Sequence, residues 1–147
     1  MVARMLTLKA RAGGHETLPV PRADWDIADP DAAGRMLTRH RPDLLVNCAG
    51  FTDVDGCETR REEAFRANAD GPGVLARSCA AAGLPMIHLS TDFVFDGSAR
   101  EPYAVEAATN PLSVYGASKL AGERAVAAAG GAALVVRTAW VHGPFGR

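Results

Sequence analysis

Three short apolar segments, separated by stretches long enough for helices, constrain the fold of this sequence more than any other feature. They lie at residues 44–46, 84–89 and 133–136. Short runs that are apolar on both faces are typical of buried parallel strands, and the stretches between them carry helix start and stop signals. This alternation predicts an α/β domain with a doubly wound parallel sheet and helices on both faces.

The amino-terminal third is predicted to contain a helix followed by a weak strand. Residues 3–11 alternate apolar and basic side chains and end at Gly13, which with the glycine after it is a typical helix stop. Residues 15–20 form a strand candidate, but Pro19 and Pro21 restrict it to a sheet edge or a strand end.

Two further helix starts are predicted from capping residues. Asp29 can cap a helix that has Pro30 in its first turn and runs to about His40. Thr59 and Glu62 have the spacing of a capping box, which predicts the start of another helix.

Pro72 falls inside the pattern of that second helix. Proline has no N–H, so the carbonyl of Asn68, four residues earlier, loses its helical partner. We therefore expect a kink, followed by one or two turns that end at Gly83. The last long helix is predicted to begin after Ser113 and to run to about residue 129.

Composition and charge exclude several classes of function. The formal net charge is −1 and the basic residues are scattered, which argues against nucleic acid as a partner. No apolar run approaches the length of a membrane span, and Arg4 and Lys9 interrupt the first ten residues, unlike a signal peptide. We expect a cytoplasmic protein.

The three cysteines, Cys48, Cys57 and Cys79, are odd in number and have no CxxC spacing. This pattern argues against both a disulfide framework and a metal site. We expect buried or half-buried thiols.

Polar and small residues follow each predicted strand. They occupy residues 47–52, 90–93 and 137–142. Ligands of doubly wound sheets bind at the carboxyl ends of the strands, so we expect these three segments to share one site.

Tyr115 and Lys119 are four residues apart, which places them on one face of the last helix. A fixed ammonium favours the phenolate, so Lys119 should lower the pKa of Tyr115. With a hydroxyl from Ser90 or Thr91, these groups could stabilise the negative oxygen that forms when hydride reaches a carbonyl carbon. An isolated pair at this spacing is more often a solvated helix face.

The wider pattern resembles the extended short-chain dehydrogenase/reductase family. The motifs that carry the resemblance are VNCAGFTDVDGCE (46–58), FRANADG (65–71), HLSTDFVFDG (88–97), NPLSVYGASKLAGE (110–123) and VRTAWVHG (136–143). The resemblance implies a Rossmann-like, NAD(P)-binding fold. It also implies reduction of a dTDP-4-keto-6-deoxy sugar by NADPH or NADH, and the sequence does not decide between the two cofactors.

The resemblance also implies residue roles. Thr91 would hold the substrate carbonyl, Tyr115 would donate the proton, and Lys119 would orient the nicotinamide ribose. The implied cofactor-binding residues are Asp26, Ile27, Cys48, Ala49, Gly50, Thr52, Tyr115 and Lys119. The implied substrate-binding residues are Val54, Thr91, Asp92, Phe93 and Trp140. Asn68 matches a position that supports a water molecule beside the lysine in many relatives.

Plainer roles remain open for some of these residues. Trp140 could be a core aromatic residue, and Asp92 and Asp96 could cap turns. His142 has no evident carboxylate partner, so we expect a surface or packing residue rather than a catalyst.

The sequence departs from the family at both ends. Its relatives begin with a strand and a GxxGxxG turn, which receives the cofactor pyrophosphate, and they continue into a sugar-nucleotide lobe. Neither feature is found in this sequence, so we expect residues 1–147 to form an incomplete Rossmann-like domain that lacks the first strand and glycine-rich loop, with the substrate lobe mostly absent.

Three functions remain open after this comparison. The first is the reductase, which could be inactive as this chain. The second is a non-catalytic or regulatory binding subunit of the same fold, and the third is a sugar-nucleotide epimerase or dehydratase, which the STDFVFDG stretch disfavours. Self-association as a homodimer is also open.

Overall fold

Three parallel strands form the sheet in the computed structural model, which describes residues 1–145. The strands are β1 (Leu45–Asn47), β2 (Met86–Thr91) and β3 (Ala133–Thr138). Their order is β1-β2-β3, with Asn47 opposite His88 and Thr91 opposite Thr138. The predicted α/β class with a parallel sheet is confirmed.

Helices connect and cover these strands. They are α1 (Val2–Ala12), α2 (Pro30–His40), α3 (Val54–Thr59), α4 (Arg61–Phe65), a π-helix (Arg66–Asp70), α5 (Gly71–Ala81), a 3-10 turn (Asp92–Val94) and α6 (Val114–Ala128). Both α5 and α6 pack against β2 and against each other. Within residues 1–145, no helix combines the length and apolar character that a bilayer crossing requires.

Side-chain caps fix the starts of α2, where Asp29 was predicted as the cap, and of α6, which was predicted to begin after Ser113. The Asp29 carboxylate accepts hydrogen bonds from the N–H groups of Asp31 and Ala32, which begins α2. The Ser113 hydroxyl accepts from Gly116 N at 3.0 Å, which begins α6. Each cap satisfies donors that the first helical turn would otherwise leave unpaired.

The predicted capping box of Thr59 and Glu62 is wrong. Thr59 is the last residue of α3, and its hydroxyl donates to the carbonyl of Gly56 instead. Asp53 caps α3 by accepting from Gly56 N. The chain then breaks at Arg60, so α4 begins without a side-chain cap.

The strand predicted over residues 15–20 does not form. This segment has no regular secondary structure, and its polar groups bond to the end of α1. His15 N donates to the carbonyl of Ala10, and Arg11 Nε donates to the Thr17 hydroxyl. Pro19 removes a ladder donor as well, so the local hydrogen bonds prevail.

The kink predicted at Pro72 takes the form of a π-helical turn. Residues 66–70 adopt the wider i→i+5 pattern, which accommodates the missing N–H of Pro72 without breaking the helix. The helix then continues as α5 and stops before Gly83, which has a φ of 64°. The predicted end at Gly83 is confirmed.

The main core lies between α2, α5, α6 and the sheet. Its buried members include Leu37, Leu75, Met86 and Val126, with Trp25 and Ile27 packed at its edge. A second, smaller cluster surrounds Tyr115. It consists of Cys57, Ala64 and Tyr115, with Phe51, Val54 and Val114 against it.

Gly122 allows α6 to approach the π-helix. A Cβ atom at this position would collide with the carbonyl oxygen of Asn68. The carbonyl that Pro72 leaves without a helical partner therefore faces α6, one turn beyond Lys119. Only glycine permits this contact.

We expect Gly122→Ala to lower the free energy of unfolding by roughly 1–3 kcal/mol, because α6 must move away from the π-helix. Gly34→Ala is the matched control. Gly34 lies exposed in α2, and no atom lies within 4 Å of the position that an alanine methyl group would occupy, so alanine there should stabilise by about 0.5–1 kcal/mol. Urea unfolding measures both. Equal effects would contradict the close helix contact.

Candidate active site

Tyr115 and Lys119 lie one turn apart on α6, and both are buried. Tyr115 is 9% exposed and Lys119 is 5% exposed. The Ser113 cap sets the start of the helix, so it also sets the direction in which both side chains leave the helix. A buried phenol beside a buried ammonium is costly, which makes this pair a candidate for function.

Thr91 and Phe93 meet Tyr115 at the carboxyl end of β2. The phenyl ring of Phe93 packs edge-on against the Tyr115 ring, with 5.5 Å between centroids. The Thr91 hydroxyl lies close enough to the phenol to act on its pKa, although its own proton is donated to Asp92 Oδ1 at 3.1 Å. Of the two hydroxyls considered from the sequence, Thr91 therefore faces Tyr115, whereas Ser90 donates to Glu123.

The pKa of Tyr115 moves in the opposite direction to our expectation. Burial raises the pKa of the phenol, and the influence of the nearby Thr91 hydroxyl only partly offsets this. We expected Lys119 to lower this pKa, but its ammonium donates to the carbonyl oxygen of Leu89 at 2.6 Å. Tyr115 is therefore a neutral phenol at physiological pH.

Burial has the opposite effect on Lys119. It lowers the pKa of this ammonium to about 8, and the nearby carboxylate of Glu123 acts against the shift. Lys119 is therefore charged at pH 7 but can release its proton about one pH unit higher.

The buried side chain of Asn68 joins the loop after β1 to α6. Its Oδ1 accepts from Phe51 N at 2.8 Å, and its Nδ2 donates to the Phe51 carbonyl and to the Ser118 hydroxyl, each at 3.0 Å. Ser118 in turn donates to the carbonyl of Tyr115. The loop that follows β1 and the helix that carries Tyr115 are thus held in one register.

His88 and Asn47 form a polar pair across β1 and β2. The Asn47 amide oxygen accepts from Ala49 N, so its Nδ2 must be the group that faces His88 Nδ1, at 3.0 Å. The proton of neutral His88 then resides on Nε2, which has no hydrogen-bond partner among the described residues. Burial, together with the charge of Lys119, lowers the pKa of His88 to about 4.

A partly buried ion pair links α6 to β3. Arg137 donates to both carboxylate oxygens of Glu123, through Nε at 2.9 Å and an Nη at 2.7 Å. Ser90 donates to the same carboxylate at 2.5 Å. Burial alone would raise the pKa of Glu123, but the hydrogen bonds from Arg137 and Ser90 outweigh it and lower the pKa.

The residues after β1 expose their backbone at the carboxyl end of the sheet. Gly50 and Thr52 are exposed, and Cys48 is buried only in part. A Cβ atom at Gly50 would lie 3.0 Å from the Asn68 amide oxygen. This segment, which includes Ala49, therefore offers accessible backbone groups beside α6, which a flat ligand could contact.

Asp26 and Ile27 contact the π-helix and α5. The Asp26 carboxylate accepts from Ala28 N and pairs with Arg66 at 2.6 Å, and these contacts lower its pKa. The Ile27 side chain lies against Gly71, where a Cβ would collide with it. Both residues thus pack on the helical segment that also contains Asn68.

The predicted substrate-side residues divide into two groups. Val54 packs with the cluster around Tyr115, and Asp92 accepts a hydrogen bond from Thr91 at 3.1 Å. Trp140, by contrast, is 92% exposed, so the alternative role as a core aromatic residue is wrong. His142 is exposed, as expected, and its ring bonds to the Trp140 carbonyl.

Asp96 organises the loop after β2, as its alternative role predicted. It accepts from Ser98 N, the Ser98 hydroxyl, Tyr103 Oη and Asn110 Nδ2. These hydrogen bonds lower the pKa of its carboxyl group.

All three cysteines are free, with Cys48 half-buried and the others buried, as predicted.

The sequence analysis did not single out four polar residues of this region. They are His88, Ser118, Glu123 and Arg137. Each lies inside one of the motifs quoted above, and sequence spacing could have identified some of them. Glu123, for example, follows Lys119 by four residues, so it lies on the same face of α6.

We expect stability to fall as the pH decreases from about 6.5 towards about 4, because His88 is neutral when folded. In that interval the unfolded chain binds a proton at His88 and the folded chain does not. The loss should reach about 3 kcal/mol at the acid end.

His88→Gln should flatten this part of the pH profile. His40→Gln, at an exposed position in α2, should leave the slope unchanged. Urea unfolding between these pH values measures the effect, and equal slopes in the His88 variant and the unchanged protein would contradict the buried, neutral histidine.

Comparisons with known proteins place this geometry in a family. The profile of the RmlD substrate binding domain matches residues 1–147. The dTDP-4-dehydrorhamnose reductase of Mycobacterium tuberculosis is 49% identical over 141 residues, which cover 93% of this chain and 46% of that protein. The Mycolicibacterium smegmatis reductase of the same name is 47% identical and covers 97% and 43%.

Solved structures agree with the sequence comparison. A dTDP-4-dehydrorhamnose reductase from Clostridium acetobutylicum superposes with a TM-score of 0.93 at 36% identity, covering 97% of this chain and 51% of that one. The Bacillus anthracis reductase in complex with NADP also gives 0.93, at 30% identity, covering 98% and 51%. This chain spans about half the length of these relatives. It has their Rossmann-like α/β fold, and it belongs to the RmlD substrate-binding-domain family.

Proposed function

We propose that this chain contributes the carbonyl-reducing site of a dTDP-4-dehydrorhamnose reductase. The reaction is the NADPH- or NADH-dependent reduction of dTDP-4-dehydrorhamnose to dTDP-L-rhamnose. The observation that carries the proposal is the meeting of Thr91 and Tyr115 at the carboxyl end of β2, one helical turn from Lys119.

The site residues can complete the reduction of a carbonyl group. A bound reduced nicotinamide supplies the hydride, which forms the new bond to the carbonyl carbon. As that bond forms, the carbonyl π electrons move to oxygen. Thr91 would turn its hydroxyl from Asp92 to donate a hydrogen bond to this oxygen, and Tyr115 would transfer its phenolic proton to it, so the product is a neutral alcohol.

Tyr115 enters the reaction as an acid, because its phenol is protonated at neutral pH. Burial raises the pKa of this phenol, so proton transfer requires a neighbour that stabilises the phenolate. Once the proton leaves, Thr91 is the neighbour that acts to lower the pKa of the phenol, so it would stabilise the phenolate. Phe93 packs edge-on against the ring and restricts its orientation.

The described residues fit the nicotinamide end of a cofactor. Lys119 would hold the ribose, and the exposed backbone at Ala49, Gly50 and Thr52 would lie along the cofactor beside Cys48. Asp26 and Ile27 would border the adenine. The described residues place no GxxGxxG turn at a helix amino terminus, so we assign no residue to the pyrophosphate.

The substrate side of the proposal uses residues near the phenol. Val54, Asp92 and Phe93 lie around Tyr115 and Thr91, and Trp140 presents an exposed indole after β3. An exposed aromatic ring can stack on a sugar or a base. We propose that these residues contact the dTDP-4-keto-6-deoxy sugar.

Location and assembly complete the proposal. Free cysteines without a disulfide pattern support a cytoplasmic location. We also propose self-association as a homodimer, which sedimentation analysis would test.

We propose further that residues 1–147 form an incomplete NAD(P)-binding domain and that most of the substrate lobe lies outside it. The half-length match to the relatives supports this assignment.

Titration of the chain with NADPH and NADH, followed by nicotinamide fluorescence, is the direct test of cofactor binding. We expect saturable binding of at least one of them to a chain that also melts cooperatively. A cooperative melt without binding of either would contradict a cofactor site in this chain. It would favour the alternative function as a non-catalytic subunit.

Tyr115→Phe should lower turnover of a dTDP-4-keto-6-deoxy sugar by about 10²–10⁴-fold, because the proton donor is lost. Cofactor affinity should change little, since the ring remains. The chain contains two tyrosines, so Tyr103→Phe is the matched control and should retain turnover. Oxidation of the reduced nicotinamide, followed by absorbance, measures both. Turnover retained in Tyr115→Phe would exclude it as the proton donor.

Lys119→Ala should weaken NADPH binding by about tenfold or more, since a charge-assisted hydrogen bond to the ribose is lost. The second lysine, Lys9, is exposed in α1, and Lys9→Ala should bind as the unchanged chain does. The fluorescence titration gives both affinities. Equal affinities would rule out the ribose contact.

A further inference from the structure

Two side chains hold the first turn of α6, and one of them comes from a distant part of the sequence. The Ser113 hydroxyl accepts from Gly116 N as a local cap. The Glu58 carboxylate, in the last turn of α3, accepts from Val114 N at 2.8 Å. This second contact joins residues 56 positions apart. The two N–H groups belong to the residues directly before and after Tyr115.

We propose that Glu58 is a positioning residue, which fixes the orientation of Tyr115 by holding the start of α6 against α3. Its carboxylate satisfies an N–H group that the first helical turn leaves without a partner, and it lies at the positive end of the helix dipole. The inference deepens the proposed function and rests on it for the use made of the phenol. The hydrogen bond itself requires no ligand.

Helix α3 also contacts the ring that Glu58 would position. Cys57, which precedes Glu58 in the chain, is buried in the cluster that contains Tyr115, and Val54 packs against the same cluster. Helices α3 and α6 are in contact with each other. A shift of α6 relative to α3 would therefore loosen the packing around the phenol as well as break the hydrogen bond.

The turn after β2 bounds the same part of α6. A Cβ atom at Gly116 would collide with the carbonyl oxygen of Phe93, so the helix backbone lies directly against this turn. The Phe93 ring packs edge-on against the Tyr115 ring. Tyr115 is thus held between α3 and the turn after β2, and Glu58 provides a hydrogen bond on the α3 side.

Glu58 is exposed, so its removal should not unfold the chain. Loss of a helix cap should lower the melting temperature by only a few degrees. Arg60, two residues later, pairs with Asp53 and Glu63. These ion pairs do not involve Glu58, so they should survive its replacement.

Three substitutions separate positioning from general effects on stability or charge. Glu58→Ala removes the acceptor, whereas Glu58→Gln keeps an oxygen that can still accept from Val114 N. Glu62→Ala is the matched control, because Glu62 is exposed in α4 and its replacement removes the same charge. Thermal melting monitors the fold of each variant.

Tyrosine resonances give a readout that a small loss of stability would not move. The chain contains two tyrosines, Tyr103 and Tyr115, so ¹³Cζ-tyrosine labelling gives two ring signals. In Glu58→Ala we expect the Tyr115 signal to shift or broaden, because the ring moves relative to Phe93, while the Tyr103 signal stays. Glu58→Gln should restore the original Tyr115 signal, and Glu62→Ala should not alter it.

Turnover of a dTDP-4-keto-6-deoxy sugar gives a second readout. Glu58→Ala should lower kcat by roughly tenfold or more and leave KM nearly unchanged, because a displaced proton donor affects the reaction more than it affects binding. Glu58→Gln should recover most of the lost kcat. Glu62→Ala should keep the original values of both constants.

An unchanged Tyr115 signal in folded Glu58→Ala would overturn the proposal, as would an equal change in Glu58→Gln or Glu62→Ala. If Glu58→Ala does not fold, Val114→Pro decides, because proline is well tolerated at the first helical position but has no N–H. Its Tyr115 signal should be displaced, whereas Val114→Ala keeps the N–H donor and should not displace it. Equal signals in these two variants would also overturn the proposal.

The resonance measurement separates this inference from the proposed function. It contains neither nicotinamide nor sugar, so it reports on the Glu58 hydrogen bond and the Tyr115 ring alone. Absence of turnover in the unchanged chain would refute the proposed function and leave the resonance result intact.

Discussion

The buried amide of Asn68 is the contact on which the rest of the site depends. It is 0% exposed and makes three hydrogen bonds. An unsatisfied buried amide would cost several kcal/mol, so the segments that supply its partners must adopt one arrangement. Those segments are the loop after β1 and the middle of α6. The relative position of the exposed loop and of Tyr115 is therefore set by a residue that belongs to neither.

The site concentrates polar groups where the fold would be more stable without them. Lys119, His88 and Glu123 are all buried within or beside β2. Burial lowers the pKa of the first two, which shows that the folded state disfavours their charged forms. A chain selected only for stability would place apolar residues here. Buried groups with shifted pKa values of this kind mark the region as a candidate functional site.

Much of the fold could be predicted from the sequence because local rules determine it. Asp29 and Ser113 cap their helices through hydrogen bonds to residues two or three positions away. Each strand is a short apolar run, and such a run can be recognised without knowing which strands lie beside it in the sheet. The grouping of Thr91 and Phe93 with Tyr115 follows because α6 packs against β2 and the turn after it.

The features that escaped prediction depend on residues distant in the sequence or on burial. The capping box expected at Thr59 and Glu62 fitted the local sequence, but α3 ends at Thr59 and the chain breaks at Arg60. The strand expected at residues 15–20 does not form, because this segment makes hydrogen bonds with the end of α1. The predicted direction of the Tyr115 pKa shift was wrong because burial raises this pKa, while the Lys119 ammonium donates to the Leu89 carbonyl instead. Sequence spacing shows which groups are close, but it does not show how much water they have lost.

The π-helical turn has a consequence for how this chain tolerates changes in length. A π-turn contains one residue more than the α-helical turn that it replaces. Deletion of one residue between positions 66 and 70 would restore α-helical hydrogen bonding locally. A π-turn and an α-turn each close about one revolution, so the flanking turns would stay in phase, but the side chains within the segment would be redistributed around the helix. Asn68 would then face a different neighbour. The helix would be more regular, but the Asn68 hydrogen bonds would no longer hold the loop after β1 in register with α6. In this segment, an irregular backbone preserves an alignment that a regular one would destroy.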